Sequence, residues 1–329
     1  MIRLEPPFRS YRKTEVQSDQ SPGKKLRNLL ASGETILLPG CADPLSARIF
    51  ERMGFKALSV GGWMSGANMA TPEPLLSLSE QVAMARRVAR AVNIPVRADA
   101  HTGFGEPMHI MRTVREFEDA GVAAIHLEDQ VFPKRASYHR GLEHVCELDE
   151  FLRRIEYALK ARRDDNFMIV ARTDSGNAYN GSWKEAARRV RAVRAMGIEM
   201  ALPHVRTRAE IEQFRQEFPD NDMVLSIAGY FNGLTPEQFR AYGFQVISYP
   251  LATVIAQMAG TIKDFRALRS SGRLSMDANR VREIREEIEA AQEFEQSLKI
   301  ERATVEPDGT DDLAGSAVRA AGAETRTNP

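Results

Sequence analysis

The sequence predicts an α/β protein with a (β/α)8 TIM-type barrel. Three observations carry that expectation. Short apolar segments alternate with amphipathic, helix-like segments eight times within about 250 residues, the size such a barrel needs. The best-defined unit, Val96 to Gln130, runs VRADAHTGFG, EPMHIMRTVREFEDAGV and AAIHLEDQ, a strand, helix, strand pattern with Ile110, Val114 and Phe117 on one helix side. Its two strands end in carboxylates, Asp99 and Glu128, which a parallel sheet sets on a common rim. An open sheet is the structural alternative, although doubly wound sheets usually stop before eight alternations.

The elements follow in chain order. Residues 1–22 are polar, contain Pro and lack periodicity, so an arm is expected there. KKLRNLLASG from Lys24 is helix-like and TILLPG is the first strand; a helix from Pro44 to Met53 leads to KALSVGG, the second. After the Pro-rich ATPEPLLSL comes a helix from Ser79 to Val92, then the third and fourth strands just described. A long polar loop and a helix from Leu148 to Ala161 precede FMIVART, the fifth strand. SWKEAARRVRAVRAMG precedes IEMALP, TRAEIEQFRQEF precedes MVLSI, and TPEQFRAYG precedes QVISYP, completing eight. Residues 23–275 are therefore taken as the barrel. LATVIAQMAGTIKDFRALRSSG is apolar enough for burial, and DANRVREIREEIEAAQEFEQSL, in an extension over 276–304, is a strongly charged helix that could pack on a neighbouring subunit. A homo-oligomer is the expectation. The tail, 305–329, is rich in Gly, Ala, Asp and Thr and is expected to be disordered.

Composition excludes several roles. Lys plus Arg equals Asp plus Glu, 45 each, so no net field recruits nucleic acid. No apolar run reaches bilayer-spanning length and the N-terminus lacks a signal-peptide core, which points away from membranes and to a cytoplasmic protein. Cys41 and Cys146 are too few for a disulfide framework.

In such a barrel the working groups sit just past the C-terminal ends of the strands. The register yields Gly61, Gly62 and Trp63 after the second strand, Asp99 and His101 after the third, and Glu128 after the fourth. Arg172 and Asp174 follow the fifth, His204 the sixth, Ser226 the seventh and Tyr249 the eighth. Grouped oxygen ligands suit a hard cation such as Mg2+, and a fixed guanidinium suits a carboxylate. Asp99 and Glu128 could instead be helix caps or ion-pair partners. Arg172 ends a buried strand and needs a partner, either Asp174 or an anionic substrate. A lone His is more often structural, and of the three near the rim only His101 and His204 are placed to matter; His126 shares the sheet side of Glu128 at an unknown depth.

The strings LPGCADPLSARIFERMGFKALSVGG, RADAHTGFG, HLEDQVFPKR, VARTDS and SYPLA, in unbroken order over about residues 24 to 275, resemble the isocitrate lyase and phosphoenolpyruvate mutase superfamily. The resemblance implies a barrel whose C-terminal helix is exchanged between subunits, usually in a homotetramer, with Mg2+ and an enolate intermediate held on the rim. It makes Asp99 a direct metal ligand, with Glu128 and Glu73 assisting, and Gly61, Gly62 and Trp63 the turn that holds a carboxylate or oxyanion. Arg172 becomes the substrate-binding arginine. Ser226, placed on the rim by the register alone, is taken as a further substrate-binding residue. His204 falls where lyases mostly have Glu and mutase-like members His.

The departures set the expected chemistry. His101 replaces the second acid of the family pattern, which removes a formal charge and makes Mn2+ a plausible occupant as well. Gly61 replaces a common Ser. After the fourth strand the chain has PKRASYHRG, so Lys134 and Arg135 survive but Ala136 stands where isocitrate and methylisocitrate lyases carry a Cys. Ala cannot donate a proton, and Tyr138 or His139 could supply one, unless the loop only covers the site. The expected function is cleavage of a carbon–carbon bond in a small 2-hydroxy or 2-oxo polycarboxylate, such as a substituted malate or a methylisocitrate-like or oxaloacetate-like acid. Phosphorus–carbon chemistry is the first alternative, prompted by His204, and a non-catalytic binding barrel the second. Trp63, Tyr138, Tyr230 and Phe231 suggest aromatic pocket walls.

Overall fold

The computed structural model describes residues 20–135, 143–229 and 233–305. Ser21 caps the first helix, α1 (Pro22–Ala31), by accepting from the Lys24 backbone N–H, and Pro22 sits where its missing N–H costs nothing. The expected arm thus gives its last residues to this helix. Strand and helix then alternate: β1 (Ile36–Pro39), α2 (Pro44–Arg52), β2 (Leu58–Val60), α3 (Gly62–Asn68), α4 (Leu78–Ala91), β3 (Val96–Asp99), α5 (Pro107–Ala120) and β4 (Ala124–Glu128). The second half continues with α6 (Leu148–Ala161), β5 (Met168–Thr173), α7 (Trp183–Ala195), β6 (Met200–Pro203), α8 (Arg208–Glu217), β7 (Val224–Ala228), α9 (Pro236–Ala241) and β8 (Phe244–Tyr249).

Many helix starts are written in the sequence. Asp43, Ser77, Ser182, Thr207 and Thr235 each accept a backbone N–H three residues on, which satisfies one of the donors a helix leaves open at its first turn. Helix α3 is the exception. It begins on glycines without a side-chain cap, and the sequence reading passed over it as loop.

All eight strands pair in parallel, in the order β1-β8-β7-β6-β5-β4-β3-β2. An isolated parallel bridge from Gly40 to Ser59, with Cys41 N donating to Ser59 O at 2.9 Å, draws β1 to β2. The result is a nearly closed (β/α)8 barrel, and the open-sheet alternative falls. Strand alternation then assigns faces. On β4, Ile125 and Leu127 join Val114 and Phe117 of α5 in the layer between sheet and helices, while Ala124 belongs to the interior with Ile36, Met168, Met200 and Val246. Leu26 of α1 joins that interior cluster, and Arg27 of α1 reaches the carbonyl of Asn166, just before β5, so α1 lies over the N-terminal end of the barrel. Each such large side chain contributes roughly 1.5–3 kcal/mol on burial. Towards the C-terminal ends the inward positions turn polar, and the site begins there.

The helix α10 (Ala252–Ser271) corrects one expectation. Its segment was expected to be buried, yet Ile255, Met258, Ile262 and Phe265 are between 46% and 61% exposed in the single chain, and Val254 alone is buried. These four recur at i, i+3, i+7 and i+10, so they share one side of the helix, and this chain leaves that side uncovered. By its contacts the chain divides after Arg273 into two compact units. The second contains α11 (Ala278–Ala291) and α12 (Phe294–Thr304), not one charged helix, because Glu293 takes a left-handed conformation, φ +56°, between them. Among the described residues no helix is long and apolar enough to cross a membrane.

Candidate active site

Asp99 ends β3 and is 3% exposed. Its Oδ1 accepts the His101 backbone N–H at 2.8 Å and lies 3.1 Å from His126 Nε2, while Oδ2 accepts the Gly62 backbone N–H at 3.1 Å. Burial alone would raise this carboxyl, but its hydrogen-bonded contact with His126 and the charge of Lys134 outweigh it and hold Asp99 well below the usual carboxylate range. Gly62, expected to offer its N–H to a substrate oxyanion, therefore spends it on Asp99.

Glu73 opens a 3-10 turn, Glu73–Leu75, after α3 and is buried beside Asp99. His101 follows β3 with φ +53°, a conformation a non-glycine residue adopts only when its surroundings impose it. Glu73, Asp99 and His101 each offer a ligand atom, all within 4.8 Å of one another. Burial pulls the His101 ring down to about 4, so the imidazole is neutral with a free lone pair, and its buried Nε2 has no hydrogen-bond partner. Gly62 makes room for this arrangement. A Cβ there would meet Glu73 Oε1 at 2.6 Å and His101 Cε1 at 2.7 Å.

A second set of charges adjoins the first. Lys134, 7% exposed, donates to Glu73 Oε1 and lies 3.0 Å from Glu128 Oε1. Glu128 has no exposed surface; burial pushes its carboxyl up to about 8 against the pull of Lys134 and Arg172. Arg172 reaches Glu128 Oε2 at 3.1 Å and Asp174 Oδ1 at 3.0 Å, and its NH2 is 3.0 Å from His204 Nδ1. His204 Nδ1 also bonds Asp174 Oδ1. Asp129, beside Glu128, binds Thr173 Oγ1 at 2.6 Å, the Asp174 N–H at 2.9 Å and Arg189 at 3.1 Å, tying β4 to β5 and α7.

These groups surround a cavity of about 310 Å3 at the C-terminal end of the barrel. Gly61, Gly62, Trp63, Asp99, Arg172 and His204, named from the strand register, line it, and so do Glu73 and Lys134, named from the family resemblance. His101 and Glu128 are buried behind the wall. Ser226 differs: it has no exposed surface, and its hydroxyl accepts from Arg97 NH1 at 2.7 Å beneath the cavity. Tyr138, His139, Ala136, Tyr230 and Phe231 lie outside the described residues. Several lining residues were not singled out from the sequence, His126, Arg97 and Gln130 among them. His126, set aside as of unknown depth, touches Asp99; its place two residues before Glu128 was the signal. Arg97 sits likewise two before Asp99, and Gln130 two after Glu128, where its Nε2 donates to Asp174 Oδ2 at 3.2 Å.

Comparison with known proteins decides the lineage. The family described as phosphoenolpyruvate phosphomutase matches residues 26–269, which contain every described element from β1 to β8 and all the site residues above. The chain belongs to the phosphoenolpyruvate phosphomutase family. Among relatives of the family it is 36% identical over 247 residues to a probable 2-methylisocitrate lyase of Corynebacterium glutamicum, covering 74% of this chain and 80% of that one. It is 32% identical over 253 residues to the 2,3-dimethylmalate lyase of Eubacterium barkeri, covering 75% and 86%. Solved structures with the same fold include oxaloacetate acetylhydrolase in complex with 3,3-difluorooxalacetate, at TM-score 0.76 and 28% identity over 86% of this chain and 97% of that one. Phosphonopyruvate hydrolase in complex with oxalate and Mg++ has TM-score 0.75 and 26% identity over 87% and 99%.

Proposed function

We propose that this chain is a metal-dependent carbon–carbon lyase acting on a small 2-hydroxy or 2-oxo polycarboxylate through an enolate intermediate. The observation that carries the reading is the convergence of Glu73, Asp99 and His101, the first two lining and the third just behind the wall of a cavity that also exposes the guanidinium of Arg172. The relatives named lyases of methylisocitrate and dimethylmalate support the same reading.

The donor set fits a divalent cation. Two carboxylates and a neutral imidazole with an unsatisfied buried nitrogen form a mixed oxygen and nitrogen site that accepts Mg2+ and, with its imidazole, Mn2+. When bound, the cation supplies Lewis acidity towards a substrate oxygen. The chain's own groups do the rest. Arg172, oriented by Glu128 and Asp174, binds a substrate carboxylate, and His204, held by Asp174, borders the same place. Lys134 keeps its proton between Glu73 and Glu128 and offsets negative charge as it builds on the substrate. Protonation of the departing enolate is assigned to Tyr138 or His139, on the loop that follows Lys134. A homotetramer with exchanged C-terminal helices is proposed from the resemblance and from the uncovered apolar residues of α10.

The test is an assay with Mg2+ or Mn2+ against oxaloacetate, alkylated malates, methylisocitrate and phosphonopyruvate, following formation or loss of 2-oxo acid. Turnover of a carboxylate is the expected result. The presence of His204 and the likeness to phosphonopyruvate hydrolase keep a second reading, phosphorus–carbon cleavage; phosphate released from phosphonopyruvate with no carboxylate turnover selects it.

A further inference from the structure

Three arginines among the described residues of the barrel unit are buried beyond 90%, and two of them are paired with acids. Arg154 pairs with Glu150, and Arg189 with Asp129 and Glu185. Arg97 does not. It is 3% exposed, it points into the barrel from the position two before Asp99, and its one hydrogen bond among the described residues is to the neutral Ser226 hydroxyl. Its Nε is buried with no partner at all. An unpaired buried charge costs several kcal/mol, so such a group persists in a folded protein when something other than the fold calls for it.

Its surroundings say what that is. Arg97 lines the deep part of the cavity, where Ser59, His126 and Ser248 add small polar groups. The inward position on the paired strand β2 is Ser59, directly across from Arg97, and too short to reach across as a counter-charge. Arg172, at the rim, is in contact with two acids, whereas Arg97, at the floor, feels the charge of Asp99 but has no carboxylate within ion-pair distance among the described residues.

We propose that Arg97 is an anion subsite on the cavity floor that takes the second carboxylate of the substrate and so selects dicarboxylates over monocarboxylates. The inference rests on the polycarboxylate reading of the cavity and extends it from reaction class to substrate charge. A carboxylate on Arg97 would form a charge-assisted, desolvated pair, the kind whose loss is most costly to binding.

The experiment compares malate with lactate, which share a 2-hydroxy acid head and differ in one carboxylate. Both are titrated into the full chain in excess Mg2+ at constant ionic strength, by calorimetry and by thermal shift, for the wild type and Arg97→Met. The wild type is expected to bind malate more tightly than lactate by at least about 30-fold. Arg97→Met is expected to bind the two alike, with lactate affinity unchanged, and to melt without ligand at or above the wild-type temperature, since it removes an unpaired buried charge. Equal preference for malate in the variant overturns the subsite while leaving the polycarboxylate reading intact; so does a lowered melting temperature with malate affinity retained, which makes Arg97 structural. A wild type that binds neither acid defeats the polycarboxylate reading and the subsite together. Should Arg97→Met not fold, Arg97→Gln, which can still donate to Ser226 without the charge, decides by the same comparison.

Discussion

His126 Nε2 stands 3.1 Å from Asp99 Oδ1, on the strand next to it and in register with it. The pairing of Asp99 with His126 across β3 and β4 puts a ring behind the carboxylate and fixes which oxygen faces the cavity. Second partners of a metal-binding carboxylate of this kind typically tune affinity 10–100-fold. His126→Phe is expected to weaken Mn2+ binding by about that factor, read by calorimetry, with the melting temperature of the metal-free protein changed much less. Unchanged affinity would make His126 a packing residue.

Gly62 tests the cradle. It sits in the first turn of α3, where helix propensity alone favours Ala over Gly by about 1 kcal/mol. The clash of a Cβ with Glu73 and His101 opposes that gain. Gly62→Ala is therefore expected to destabilise by about 1–3 kcal/mol in urea and to lose divalent-ion binding. A stabilised variant that binds metal normally would contradict the geometry.

Lys134 lies between Glu73 and Glu128. Removing one partner of a buried ionic cluster leaves charge uncompensated, at a cost of about 3–5 kcal/mol. Lys134→Met should show that loss by urea denaturation without metal, and Lys134→Met combined with Glu128→Gln should recover part of it. An additive double variant would deny the coupling.

Burial holds the His101 ring neutral down to about 4, from an ordinary value of 6.5. The unfolded chain takes up that proton first, so the stability this ring contributes is present above 6.5 and is lost as pH falls from 6.5 to about 4. His101→Asn tolerates the left-handed backbone and does not titrate. In the metal-free protein its unfolding free energy is expected to fall less than the wild type's across that window; parallel curves would show that His101 is not held neutral.

The sequence was most informative where period and chemistry agree. Strand alternation and the acids Asp99 and Glu128 gave the barrel and its working rim, because inward residues at strand ends share one site whatever their separation in the chain. It was least informative where partners decide. Whether Gly62 offers its N–H to a ligand or to Asp99 depends on a strand far along the chain, and so does the depth of His126. Arg97 leaves no signal because a charged residue inside VRAD looks like an interruption of an apolar strand; only the fold shows that no carboxylate lies within ion-pair distance of it. Helix α3 carries no side-chain cap and Glu293 breaks the last helix with a backbone angle, and neither leaves a mark in hydrophobic periodicity.

The central claim is that Asp99 anchors metal-dependent turnover in this cavity. The most direct measurement is the turnover of Asp99→Ala on whichever carboxylate the wild type consumes, with Mg2+ or Mn2+ present and the fold monitored by circular dichroism. The account predicts a folded protein with turnover abolished. A folded variant with wild-type turnover would contradict it.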